Sequence, residues 1–144
     1  MRGEIWTVGH SILGLTAFIK LLKKWQIQAI ADVRRFPISA KVPWTRRERL
    51  ARSLSRAGID YVWFGERLGG YRRPDYRAWT RTKEFKLGLI ELLNLAERKR
   101  TALLCAEALW FRCHRSYIAD RLVRLGWAVH HIIDEKRIYE HRQR

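Results

Sequence analysis

Short, nearly unbroken apolar runs alternate along this chain with longer stretches in which apolar residues recur at helical spacing. EIWTV (4–8), IQAIADV (27–33), IDYVWFG (59–65), TALLCAE (101–107) and WAVHHII (127–133) read as successive strands. Between the first two, Leu15, Phe18, Ile19, Leu22 and Trp25 form an i, i+3, i+4, i+7 stripe with lysines opposite, the signature of an amphipathic helix. Strands that are apolar on both sides need cover on both faces. The alternation therefore predicts an α/β fold: a single three-layer domain over residues 1–144, with about five mainly parallel strands and helices on both faces.

Local signals refine the connections. TRRE (45–48) predicts a capping box, with Thr45 at the N-cap and Glu48 three positions on, opening a helix over 46–57 that Gly58 stops. That helix turns Leu50, Leu54 and Ala57 inward and Arg46, Arg47, Arg49, Arg52 and Arg56 outward, a basic face suited to positioning phosphates rather than reading bases. Further helices open at Thr82, with Phe85, Leu89, Leu92, Leu93 and Ala96 on one face, and around Ile118, Leu122 and Leu125. RRFPISAKVPW (34–44) carries two prolines and reads as irregular, and RLGGYRRPDYRAWTR (67–81) as a long polar loop. The tail EKRIYEHRQR reads as a frayed end or an edge strand, and no internal repeat is visible.

Composition changes this picture in one respect. At 144 residues and 47% hydrophobic the chain fits an ordinary globular domain, and its mean hydropathy of −0.35 separates it from disordered sequences. No apolar run is long enough to span a bilayer, and MRGEIWTVGH contains no signal-peptide core, so a cytoplasmic protein without a membrane association is expected. Charge is the unusual feature: 30 Lys and Arg against 14 Asp and Glu give a net charge of +16. Such a surface favours polyanions through counterion release, so a nucleic acid or another phosphate-bearing ligand is the expected partner. Nothing points to a cofactor, and the oligomeric state is not legible.

In open parallel sheets, ligands bind outside the carboxyl ends of the strands. His10 and Ser11 follow the first strand, Asp32, Arg34 and Arg35 the second, Gly69 and Gly70 the third, and Cys105, Glu107, Cys113, His114 and Arg115 the fourth. Asp32 with Arg34 reads either as a site pair or as a structural ion pair. Gly69–Gly70 matches neither a Walker loop nor the dinucleotide fingerprint. Arg67, Arg72, Arg73 and Arg77, interleaved with Tyr71, Tyr76 and Trp79, suit single-stranded nucleic acid, with guanidinium groups on phosphates and rings on bases; a satellite core with a solvated basic rim is the alternative.

Both cysteines of the chain fall within LLCAEALWFRCHRSYIADRL (103–122), where three readings stay open. Cys105 or Cys113 is a reactive thiol, activated by a helix N-terminus and neighbouring cations, with His114 and Glu107 as proton-transfer partners and Asp32 in support. Alternatively, Cys105, Cys113 and His114 with His10 or Glu107 hold zinc, although adjacent Cys-His is not a familiar ligand spacing, and no metal is expected. In the third reading Cys105 is simply packed at a strand end. Arg112, His114 and Arg115 crowd a helix start that disfavours cations, which points to an anion pocket there, with Arg34 and Arg115 holding phosphate.

TVGHS (7–11), DVRRFP (32–37), LGG (68–70), CAE (105–107) and CHR (113–115), in this order and spacing, resemble the domain-of-unknown-function family 488. The resemblance spans nearly the whole chain. It implies a small cytoplasmic α/β protein of a prokaryotic family with no assigned activity. The site residues it implies are His10, Ser11, Asp32, Arg34, Pro37, Cys105, Glu107, Cys113, His114 and Arg115. Two departures stand out: ALWFR fills the interval between CAE and CHR where the family tends to carry polar residues and a proline, and Ala40–Lys41 follows Ser39 where an arginine is usual. Two functions from different classes are consistent with all of this: a thiol-dependent enzyme acting on a nucleotide or nucleic acid, and a non-catalytic basic nucleic-acid-binding module with structural cysteines.

Overall fold

A computed structural model describes residues 3–10, 14–38, 42–106 and 114–142. β1 (Gly3–Gly9), β2 (Ala29–Asp32), β3 (Asp60–Trp63), β4 (Thr101–Cys105) and β5 (Trp127–Ile132) run parallel, and β6 (Ile138–Glu140) pairs antiparallel with β5. The order across the six-stranded sheet is β3–β2–β4–β1–β5–β6. The polar tail thus supplies a sixth strand to the α/β sheet, where about five were expected. It lies at the edge, where one row of backbone groups still needs pairing and side chains remain exposed.

The helices sort onto two faces. α1 (Leu15–Lys24) and α2 (Arg47–Arg56) bury Phe18, Leu21, Leu22, Leu50 and Leu54 against Trp6, Val8, Ile30, Ala102 and Leu104. On the opposite face α5 (Lys83–Arg98) and α6 (Arg115–Arg124) bury Phe85, Leu89, Leu92, Ile118 and Leu122 against Ile5, Ala31, Leu103 and Val129. Each such side chain contributes about 1.5–3 kcal/mol when fully buried. The two-residue period of a strand does the sorting: along β4, Ala102 and Leu104 face one layer, Leu103 and Cys105 the other.

Chain direction explains which helix lies where. From β1 through β2 to β3 the chain steps towards one edge of the sheet, and from β3 through β4 to β5 it steps back. Right-handed crossovers made in opposite directions must lie on opposite faces. The neighbours β1 and β4 consequently send their following connections to different layers, which opens a crevice at their carboxyl ends.

Helix ends follow ordinary rules with one exception. Gly58, at φ +78°, closes α2 with Ile59 N–H donating to Leu54 O, and Thr82 caps α5 by accepting from Phe85 N–H. The expected capping box at 45–48 does not form. Pro43 starts a 3₁₀ turn (Pro43–Thr45) that draws Thr45 in, its hydroxyl donates to Val42 O at 2.6 Å, and the N-cap of α2 falls on Arg46 without a side-chain cap.

The predicted loop over 67–81 also needs correction. It begins in the last residues of a one-turn helix, α3 (Gly65–Leu68), and contains another, α4 (Tyr76–Trp79); Asp75 caps α4 by accepting from Ala78 N–H at 2.8 Å. Four-residue helices are too short to show a period.

Candidate functional site

The carboxyl ends of β2 and β4 deliver polar side chains to both layers. On the α1–α2 side, Arg34 grips Asp32 in a two-pronged pair, Nε to Oδ1 at 2.8 Å and Nη2 to Oδ2 at 2.7 Å. Asp32 also accepts from the Arg34 backbone N–H at 3.1 Å and from the Tyr61 hydroxyl at 2.5 Å. Its side chain is fully buried, so the four donors replace the water it has lost. Burial and the neighbouring Asp32 push the Tyr61 hydroxyl well above its ordinary range. On the Arg34 guanidinium burial acts downwards, but the bonds from Asp32 and its charge outweigh it and leave the group raised. The geometry makes Asp32 the residue that holds Arg34 in place.

His10 belongs to the same side. Its ring packs edge-on against Trp44, with centroids 5.9 Å apart, and is buried. Burial, assisted by Arg34 and opposed by Asp32, lowers its pKa from 6.5 to about 4, so the ring is neutral at pH 7. Nδ1 has no hydrogen-bond partner among the described residues.

On the α5–α6 side the strand ends border open space. A cavity of about 410 Å³ has Cys105, Ala106 and His114 in its wall, with Arg34, Arg35 and Arg72 supplying guanidinium groups and Phe36, Tyr71 and Tyr76 aromatic rings. No carboxylate belongs to that wall among the described residues. Arg72 is held rigidly: its Nε donates to Gly69 O at 2.9 Å, Nη2 donates to Glu66 O, and the guanidinium stacks 3.9 Å from the Trp79 ring centre. Burial and the facing charge of Arg35 lower its pKa, outweighing the opposing effects of Tyr76 and Glu66.

Backbone shape keeps this cavity open. The imidazole of His114 donates from Nε2 to Val33 O at 2.8 Å, since a carbonyl only accepts, and that leaves Nδ1 as the acceptor of the neutral ring. A Cβ at position 70 would lie 3.1 Å from that Nδ1, so Gly70 leaves room that any other residue would occupy. Tyr71 adopts φ +60°, a conformation that a bulky residue adopts only under constraint. It holds a ring 83% exposed beside Phe36, itself 60% exposed, with centroids 5.9 Å apart.

Of the residues singled out from sequence, the structure brings Arg34, Cys105, His114 and Arg72 to one cavity. Asp32 and His10 stand behind Arg34 in the other layer. Arg115, buried at the start of α6, acts electrostatically on His131. Arg67 pairs with Glu84 and Glu91, and the Trp79 indole N–H donates to Arg67 O at 2.7 Å. Arg73 and Arg77 are exposed. Ser11, Glu107 and Cys113 lie outside the described residues. Among the described residues no group of three or more His, Cys, Asp and Glu is placed to hold a metal, and no helix is long and apolar enough to cross a membrane.

A family model described as Domain of unknown function DUF488 matches residues 14–122. The chain belongs to this family. The matched part of the DUF488 fold contains Asp32, Arg34, Cys105 and His114, while His10 and the last two strands lie beyond it. No curated protein and no solved structure matches the chain.

Sequence reasoning missed Tyr61 as a partner of Asp32, Phe36 at the cavity mouth and, apart from the cavity, a buried chain of side chains. In that chain the Thr7 hydroxyl donates to His131 Nδ1 at 2.5 Å, His131 Nε2 to His141 Nδ1 at 2.9 Å, and His141 Nε2 to Asp120 Oδ1 at 2.6 Å. The directions follow from the carboxylate, which only accepts: with both imidazoles in the neutral form, each passes the same direction on. Burial, His141 and Arg115 keep His131 far below its ordinary pKa. A visible signal was the adjacent His130–His131 pair inside an otherwise apolar strand.

Proposed function

We propose that the cavity at the carboxyl ends of β2 and β4 binds a phosphorylated aromatic ligand of the nucleotide class, with the Cys105 thiol and the His114 imidazole in its wall as nucleophile and proton acceptor. One observation carries this reading. Three guanidinium groups and two exposed, neighbouring rings surround a cavity whose described lining holds no carboxylate. Arg34 is paired with Asp32, but Arg35 and Arg72 are held by backbone carbonyls and leave a surplus of positive charge that favours an anion, and exposed rings favour a flat partner to stack on. Arg34, anchored by Asp32, and Arg35 hold phosphate, while Phe36 and Tyr71 take the base. His114, with Nε2–H committed to Val33 O, has Nδ1 as the atom that accepts a proton from a thiol.

A second reading rests on a different observation: Cys105 is 1% exposed and belongs to the apolar cluster beneath α5 and α6. In that case the cavity binds nucleic acid without reacting, and the thiol is packing. Alkylation with iodoacetamide separates the two in a Cys113→Ser background. The enzyme reading predicts that Cys105 reacts faster than glutathione at pH 7 and that a nucleoside monophosphate protects it. A rate no faster than glutathione, unchanged by the nucleotide, sinks the enzyme reading and leaves the binding module.

A further inference from the structure

A second cavity, of about 430 Å³, lies between α4 and α6, and its wall carries Arg77, Arg81, Arg121 and Arg124 with Tyr117 and Asp120. Tyr117, Asp120, Arg121 and Arg124 stand at i, i+3, i+4 and i+7 on α6, so they form one stripe down the helix. The single acid among these residues is committed inward, its Oδ1 accepting from His141 Nε2 at 2.6 Å. The carboxyl end of α6 favours Arg121 and Arg124 through the helix dipole, but it does nothing for Arg77 and Arg81 on the facing wall. Four guanidinium groups on two walls with one engaged carboxylate make a groove for a linear anion carrying several charges.

This groove adjoins the Cys105 cavity. Tyr117 belongs to the groove wall and Tyr76 to the cavity wall, and their rings lie 5.7 Å apart. The exposed Phe36 and Tyr71 rings at the cavity mouth stack only on bases that are not already paired in a duplex.

We propose, on the basis of the nucleotide reading of the Cys105 cavity, that the ligand is a single-stranded nucleic acid whose phosphates occupy the α4–α6 groove while a terminal nucleotide enters the cavity. The test is fluorescence anisotropy with a labelled ten-residue oligothymidylate across a salt series, alongside thymidine 5′-monophosphate and a duplex of the same length. The oligomer is expected to bind at least tenfold more tightly than the monophosphate and more tightly than the duplex. In single strands each neutralised phosphate contributes about −0.7 to the slope of log affinity against log salt, so Arg77→Gln/Arg81→Gln should make the slope shallower by about 1.4 and leave monophosphate binding unchanged. Arg121→Gln, on the opposite wall, should remove about 0.7 independently. An oligomer no tighter than the monophosphate, slopes unchanged in both variants, or equal duplex affinity overturns the groove inference while the cavity reading stands. A silent monophosphate with an arginine-dependent oligomer slope sinks the cavity reading and retains the groove.

Discussion

β2 and β4 are neighbours in the sheet, with Asp32 in register with Leu104, yet the polar groups at their ends meet two different fates. On the α1–α2 side Asp32, Arg34 and Tyr61 consume one another's hydrogen-bonding capacity, and His10 lies neutral against Trp44. On the α5–α6 side Arg35, Arg72 and His114 are each tied by a backbone carbonyl, and the charge of the two arginines faces a cavity instead of a carboxylate. Scaffold and site separate here among residues that look alike in sequence. A guanidinium neutralised by a buried carboxylate positions something, whereas one held by carbonyls alone still carries a charge to offer a ligand. Arg34 takes part in both, gripping Asp32 while bordering the cavity.

The sharpest way to break this contrast is Asp32→Asn. Removing the charge from one partner of a buried pair leaves Arg34 uncompensated, and a loss of about 3–5 kcal/mol is expected in urea denaturation. Acidification attacks the same side by another route. A histidine whose folded pKa lies below its unfolded value stabilises the fold fully above the unfolded pKa, and that contribution is lost as pH falls from there towards the folded pKa. For His10 the window runs from 6.5 down to about 4, and His131 titrates over the same range and beyond. Each histidine should cost about 1.6 kcal/mol between pH 6.5 and 5, measured by denaturation at the two pH values.

Smaller effects sharpen the comparison. Tyr61→Phe withdraws one donor from a buried carboxylate and should cost about 1.5–3 kcal/mol of stability without altering nucleotide affinity. Arg35→Gln should do the opposite. Its guanidinium donates to Tyr71 O on the exposed rim, so stability should move by no more than about 0.5 kcal/mol while monophosphate affinity falls about tenfold, or about 1.4 kcal/mol. Equal effects of both variants on both properties would erase the distinction between the two sides.

Much of this was legible in the chain because buried strands and amphipathic helices leave periodic marks. Leu15, Phe18 and Leu22 betray α1, and the unbroken run Thr101–Cys105 betrays the central strand β4. The rule that ligands bind at strand ends groups Arg34, Cys105 and His114 from the sequence. What escaped has physical reasons as well. Helices as short as α3 and α4 have no period, and Thr45 looked like a cap until Pro43 drew it into another turn. The partnership of Asp32 with Tyr61 depends on strand pairing across 29 positions, which no local pattern encodes. The same holds for Thr7, His131, His141 and Asp120, which four separate parts of the chain bring into one buried line. The arginines of 67–77 read as one basic cluster, but packing divides them: Arg67 pairs with two glutamates, Arg72 stacks on Trp79, and Arg77 faces the second groove.

The central claim about the molecule is that the charge gathered around Cys105 serves an anion. Calorimetric titration of the protein at low salt with thymidine 5′-monophosphate and, separately, with thymidine tests this directly. The monophosphate should bind at least tenfold more tightly than the nucleoside, and Arg35→Gln should abolish most of that preference. Equal affinity for the two, or a preference untouched by Arg35→Gln, would contradict it.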